Sequence, residues 1–405
     1  MRSTDKWFLT ILKAALAGQP LTEFGDITRQ QWDELFQMAQ VHKVLPLVYQ
    51  TVYGALDPET NAQIRSRVRT TVMVQAMKTH EFLQLMEKLR EADCEPMVVK
   101  GLVCRNLYPQ PDLRPSSDED LLIPEEKFAD CCRVLGQFGM ATDTPDEKLQ
   151  EVFEVPFRKK DSPLYLEVHK SLFDPDSEAY GHWNAFFENA RERAVYDGGV
   201  LTLSETDHLL YLICHAFKHF IHSGFGIRQV CDIVLYANAK GHLVDWTQIY
   251  DNCCKIHAEF FTAALFQIGE HYLGFHPVNA GYPDAWHSFA VDESDMLQDL
   301  LSAGIYGGAT MSRMHSSNMT LDAVSADRQG KKRNALKKSL FPSAQNLSGR
   351  YPYLEKRPWL LPVAWTSRIL SYFQETKGKQ DNSAAQALQI GNQRVELLRK
   401  YRVIR

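Results

Sequence analysis

Two aspartates on what reads as one short strand are the residues of this chain best placed to do chemistry. The segment Asp118-Glu-Asp-Leu-Leu-Ile123 has strand character and is stopped by Pro124. Residues i and i+2 of a strand project to the same face, so Asp118 and Asp120 present their carboxylates together. Left unneutralised, such a pair repels, and a shared divalent cation removes the repulsion. A third carboxylate is available in Leu164-Tyr-Leu-Glu-Val-His-Lys170, where Leu164, Leu166 and Val168 alternate with Tyr165, Glu167 and His169. With the apolar set facing a core, Glu167 and His169 share the other face and would lie beside the aspartates on a neighbouring strand. Carboxylates converging on hard cations suit phosphoryl-type transfer. Mg²⁺ takes oxygen ligands and is shared with substrate phosphates, and two ions roughly 3.5–4 Å apart activate the attacking oxygen and stabilise departing pyrophosphate. The pattern Asp-x-Asp alone also fits a solvated, acid-rich strand end.

The residues ahead of the pair favour the chemical reading. Lys100-Gly101 closes the apolar run Met97-Val-Val99 and opens a helical segment, a junction where backbone N–H groups and the positive helix end can hold phosphate oxygens. Gly101 permits close backbone approach, and Lys100 adds a point charge. Arg114 and Ser117, in the Pro-rich loop leading into Asp118, offer further donors to a phosphate.

The elements that must position these residues follow from periodicity. Thr28 with Gln31 forms a capping box ahead of Trp32, Leu35, Phe36 and Ala39 at helical spacing, and a second helix is expected over Val72 to Ala92. Strands are expected at 97–99, 118–123, 152–159 and 164–170, with a helix over Glu125 to Met140, an order that argues for a small α/β or α+β domain. After a Ser204/Asp207 cap, helices are expected towards Phe220, over Gly226 to Ala239, over Trp246 to Leu273 and over Ser294 to Ala303. The expected division is an N-terminal helical region at 1–93, the catalytic unit at 94–203 and a helical region at 204–405. From Arg328 to Leu354 there are seven basic and no acidic side chains, a mobile basic loop or one positive wall of a site.

Val98-Val-Lys-Gly-Leu102, Leu107-Tyr-Pro109, Leu113-Arg-Pro-Ser-Ser-Asp-Glu-Asp-Leu-Leu-Ile123 and Leu166-Glu-Val-His169 together resemble the uncharacterised nucleotidyltransferase family of the polymerase-β-type superfamily. The resemblance implies an α+β fold with a small mixed sheet, flanked by N-terminal helices and a large C-terminal helical region. It implies that Asp118, Asp120 and Glu167 are the catalytic, metal-binding carboxylates, with Glu167 helping to activate an acceptor hydroxyl. Glu in that third place departs from the commoner Asp, and Lys100-Gly101 stands where the superfamily usually has Gly-Ser. The implied activity is Mg²⁺-dependent transfer of a nucleoside monophosphate from an NTP, ATP being the first expectation, with Lys100, Gly101, Arg114 and Ser117 positioning the triphosphate. The acceptor, whether small molecule, peptide or tRNA, is open. A catalytically silent nucleotide-binding or regulatory module and a toxin-like transferase acting on tRNA or protein are the rival readings.

Other features read as structural. His208, His215, His219 and His222 form one helical stripe; no HExxH glutamate or spaced cysteine pair completes a Zn site, so packed or hydrogen-bonded histidines are expected, with contact to the acceptor as the alternative. Arg228 and Asp232, four apart, would pair on a helix. Tyr351, Tyr353, Trp359 and Trp365 read as packing residues rather than base-stacking ones. The eight cysteines include no CxxC and read as reduced core thiols. With 45 basic and 50 acidic side chains, a net charge of −5 argues against a general nucleic-acid binder. No signal peptide or membrane span is evident, and a cytosolic location is expected.

Overall fold

The computed structural model describes residues 1–303 apart from 22, 23 and 26, then 319–321, 323–325, 327, 347, 351, 353–367 and 384–405. Four helices lead in: α1 (Ser3–Leu16), α2 (Arg29–Val41), α3 (Leu45–Val52) and α4 (Pro58–Glu91). The expected capping box opens α2, with Gln31 N donating to Thr28 Oγ1 at 3.3 Å and Thr28 N to Gln31 Oε1 at 2.9 Å. Its apolar stripe of Trp32, Leu35, Phe36 and Ala39 is buried. Helix α4 starts fourteen residues before the expected Val72, because Asp57 Oδ1 accepts from the N–H groups of Glu59 and Thr60, both at 3.0 Å, and Pro58 fits the first turn.

Behind α4 lies the five-stranded sheet, β1 (Met97–Val99), β2 (Glu119–Leu122), β3 (Met140–Ala141), β4 (Glu154–Lys159) and β5 (Tyr165–His169), in the order β1-β2-β5-β4-β3. Strands β2 and β5 run parallel and the remaining pairs antiparallel, so the sheet is mixed and the fold is α+β. Between the strands sit α5 (Gly101–Arg105) and α6 (Glu125–Gln137). The latter stops short of the expected Met140: Gly139, at φ +86°, ends it and Met140 enters β3. Gly198-Gly199, both at positive φ, turns a hairpin of β6 (Val195–Asp197) and β7 (Val200–Thr202) that periodicity did not reveal.

Helices α7 (Glu205–His222), α8 (Ile227–Lys240), α9 (Trp246–Lys255) and α10 (Glu259–Ile268) follow. At the start of α7, Ser204 Oγ accepts from Asp207 N at 3.2 Å, but the Asp207 carboxylate turns to Arg193 at 2.9 Å instead of closing the box. The single helix expected over Trp246 to Leu273 is broken. His257 takes a left-handed φ of 59°, Ala258 N–H returns to Cys253 O at 2.8 Å, and after α10 the chain makes a π turn over Gly269–Leu273.

The chain divides into two compact units, Met1–Ala216 with Ile227–Glu293, and Phe217–Gly226 with Ser294–Arg405. In the second, Leu347, Leu354 and Ala364 form a small core on which Tyr351 and Trp365 pack, while Tyr353 and Trp359 are exposed. Buried Arg394 is tied to Asp299 at 2.7 Å and to Phe220 O. The basic residues of the 328–354 segment lie outside the described residues. All eight cysteines are free thiols. Among the described residues no helix is long and apolar enough to cross a membrane.

Candidate active site

The register of the parallel pair sets Asp120 directly opposite Glu167, and Leu122 opposite His169. Leu164, Leu166 and Val168 are fully buried, as the alternation of β5 requires, which leaves Glu167 and His169 on the face shared with Asp120. Ligand atoms of Asp120, Glu167 and His169 all lie within 4.8 Å of one another. His169 Nε2 is 3.2 Å from Asp120 Oδ1 and 3.9 Å from Glu167 Oε2, and its Nδ1 is 3.6 Å from Glu154 Oε2. Asp118 sits one residue before β2, half-buried, and is not one of this close group. Its charge is nevertheless felt: burial first, then Asp120 and Asp118, push the Glu167 carboxyl up to about 8. Asp120 stays ionised despite its burial, because Lys100 and His169 hold its carboxyl below the ordinary range.

Lys100 is the counter-ion. Its Nζ lies 3.1 Å from Asp120 Oδ2 and 3.2 Å from His215 Nε2, and the charge on Asp120 keeps the half-buried ammonium protonated. To aim this side chain the backbone adopts φ 57°, ψ −112°, a conformation that is strained for any residue but glycine and of the kind concentrated at functional sites. The turn is secured from α7. Lys100 N donates to His208 Nε2 at 3.2 Å, which puts the ring proton on Nδ1, 3.2 Å from Thr202 Oγ1; that hydroxyl in turn donates to Val98 O at 2.6 Å. Burial depresses His208 to about 3, so the ring is neutral and can accept. The histidine stripe thus begins as a brace: His208 holds the backbone of Lys100, and His215 meets its ammonium.

On the opposite face of β2, Glu119 is wholly buried. Its Oε1 accepts from Arg105 Nη2 and, at 2.7 Å, from Ser116 Oγ, with Lys78 Nζ 3.7 Å away. Its Oε2 has no hydrogen-bond partner and lies against Gly101, where a Cβ would come within 2.1 Å of it. Gly101 is therefore required for close approach, here to a carboxylate.

The residues expected to hold a triphosphate have different fates. Ser117 is exposed at the mouth of the loop and accepts from Lys43 Nζ at 2.5 Å. Arg114 is buried and donates to Asp232 through Nε at 2.8 Å and Nη2 at 2.6 Å, with Nη1 3.5 Å from Gly101 O. It is a strut under the loop. Tyr108 completes this pairing with a 2.8 Å bond to Asp232, which replaces the expected pairing of Asp232 with Arg228; Arg228 donates to Pro115 O instead. The N-terminal N–H of the Lys100 turn is taken by His208, and α5 is a helix of five residues. Sequence spacing placed His169 beside the acids without giving it a role and marked His208 only as a hydrogen-bonded member of a histidine stripe, and it gave no signal for Lys43, Lys78 or Arg105, which come from distant elements.

Two carboxylates and an imidazole, with one lysine against three acids, suit a divalent cation. Asp120 and Glu167 offer the oxygens that Mg²⁺ prefers, with His169 orienting Asp120; the imidazole also admits a transition metal. No curated protein and no solved structure matches the chain. A family model does match, over residues 28–274, a span that runs from the cap of α2 through every residue described around Asp120. The chain belongs to the uncharacterised nucleotidyltransferase family.

Proposed function

We propose that the protein is a Mg²⁺-dependent nucleotidyltransferase of the polymerase-β type, which moves a nucleoside monophosphate from an NTP, ATP in the first instance, to a hydroxyl or phosphate acceptor and releases pyrophosphate. The observation that carries this reading is the facing pair Asp120 and Glu167 on adjacent parallel strands, with Asp118 at the entrance to β2. Asp118, Asp120 and Glu167 would hold two Mg²⁺ ions, whose charge would be shared with the phosphoryl oxygens and would make the acceptor hydroxyl more acidic. Lys100 keeps Asp120 ionised beforehand and remains beside the phosphoryl group as a point charge. Glu167 would complete the acidic set and, once bound Mg²⁺ had displaced the proton its raised carboxyl holds, would receive the acceptor's proton. Ser117 offers a hydroxyl at the mouth, while Arg114 and Gly101 shape the loop and the turn.

A labelled-NTP transfer assay against small hydroxyl compounds, peptides and tRNA tests the proposal. Transfer is expected with Mg²⁺ and is expected to vanish when Asp118→Asn and Asp120→Asn are combined; transfer that survives the double substitution rejects the mechanism. One observation favours a silent nucleotide-binding module: Lys100 already neutralises Asp120 at 3.1 Å. Mg²⁺-dependent NTP binding with no transfer to any acceptor would establish that alternative. Growth arrest on expression that Asp118→Asn relieves would instead identify a toxin-like transferase acting on tRNA or protein.

A further inference from the structure

The loop that delivers Asp118 is met by cations from three separate helical elements. Arg228 of α8 donates through Nη1 to Pro115 O. Lys78 of α4 reaches Ser116 O and Oγ at 3.3 and 3.2 Å. Lys43, in the turn between α2 and α3, donates to Ser117 Oγ at 2.5 Å. Lys78 is balanced by Glu119, 3.7 Å away and as deeply buried. Arg228 is not balanced in the same way. The residue is 6% exposed, yet its Nε is buried without a hydrogen-bond partner. A buried donor left unmet is destabilising, more so when it is charged. The nearby carboxylate of Asp232 is already engaged by Arg114 and Tyr108.

Lys43 and Arg228 are also close enough to repel. Burial first and Arg228 second hold the Lys43 ammonium below its ordinary value, with the Asp118 carboxylate acting in the opposite direction. Two cations sharing one loop, one of them with an unmet donor, are stabilised together by a multiply charged anion. A guanidinium meets phosphate oxygens in pairs, and an ammonium adds a point charge.

We propose that Lys43 and Arg228 form the grip for the β- and γ-phosphates of the NTP, delivered by the helical elements on either side of the Pro115–Asp118 loop. The identity of the ligand rests on the nucleotidyltransferase reading, whereas the grip itself recognises a polyphosphate. In this arrangement the α-phosphate lies towards Asp120 and Lys100, and the leaving pyrophosphate lies towards Ser117. Affinity is then set by the phosphate tail more than by the base.

Calorimetry on the full chain with two probes, ATP and inorganic tripolyphosphate, each with Mg²⁺, tests the grip. Lys43→Gln and Arg228→Gln are each expected to weaken both probes about tenfold or more, the loss of one charge-assisted contact. Arg133→Gln, which removes an exposed charge on α6, is expected to change neither by more than about twofold. Arg228→Lys, which keeps the charge and the fold, is expected to fall between Arg228→Gln and the unsubstituted protein. Unchanged tripolyphosphate affinity in Lys43→Gln, at a half-buried turn that tolerates the change, overturns the proposal. ATP bound equally by all variants overturns the grip and leaves the transferase reading standing. Tripolyphosphate bound and sensitive to the substitutions, with ATP not bound at all, supports the grip and overturns the NTP reading.

Discussion

Glu119 and Asp120 are neighbours on β2, and their carboxylates meet opposite surroundings. Behind the strand, Glu119 is closed in by Arg105, Lys78 and the Ser116 hydroxyl, fixed donors contributed by α5, α4 and the loop. In front, Asp120 has Lys100 and His169 with Asp118 close by, and burial first, then the charges of Asp120 and Asp118, holds the Glu167 carboxyl up to about 8. The back is a closed ion cluster in which two cations and a hydroxyl converge on one carboxylate oxygen, while Oε2 abuts Gly101. The front keeps a carboxyl that holds its proton near neutral pH and would release it to a bound cation. An acid run in a sequence therefore divides by strand parity into structural and chemical members, and the donors that tertiary folding brings to each face decide which is which.

The largest expected effect falls on the back face. Glu119→Gln keeps the volume but strips the partner from two buried cations, and should cost about 3–5 kcal/mol of stability in urea or thermal denaturation. A variant as stable as the parent would show that the back face is no tighter than the front. Asp120→Asn should reverse the pattern. Transfer should drop roughly 10³-fold, the loss of several kcal/mol of charge stabilisation, while stability falls less than in Glu119→Gln, because the Lys100 side chain retains some water access with Asp118 and Glu167 nearby. Single-turnover kinetics alongside melting curves would separate the two effects; a loss of stability exceeding that of Glu119→Gln would make Asp120 a structural acid after all.

At neutral pH the smallest effect is at the Lys100 turn, where the difference develops only as pH falls. Unfolded, His208 takes up a proton below its ordinary value of 6.5, but in the fold it resists protonation until about 3, so the unfolded state binds the extra proton. Its contribution is complete above pH 6.5 and is lost as pH falls towards 3, by up to about 1.4 kcal/mol per pH unit. His208→Gln, whose amide oxygen can still accept from Lys100 N, should flatten this part of the curve when urea stability is measured at several pH values. Equal slopes for the two proteins would mean that His208 is not held neutral.

Much of the site's local frame was legible in the chain itself. The alternation Leu164, Leu166, Val168 against Glu167 and His169 fixed the faces of β5, and the acid run marked β2, although Asp118 falls one residue before it. The Thr28 box and the Lys100-Gly101 junction marked where elements begin, because caps and turns depend on neighbours within a few residues. What failed was non-local. Arg114 reads as a phosphate donor from its place beside Ser117, yet Asp232, 118 residues later, takes its guanidinium. Arg228 and Asp232 have ideal helical spacing, yet Asp232 bonds instead to Tyr108 and Arg114. The break at His257 was hidden because a left-handed turn there uses neither glycine nor proline.

The sequence by itself determined which side chains could take part, since periods of two and of 3.6 residues assign faces without reference to the rest of the molecule. It set Asp120 within β2, Glu167 within β5, and Asp118 and Lys100 one residue outside β2 and β1. Only the tertiary structure decided the charge each would carry and the partner each would keep. Those depend on burial and on groups brought from far along the chain: His208 under the Lys100 turn, Arg105 and Lys78 behind Glu119, and Lys43 and Arg228 around the loop that ends at Asp118.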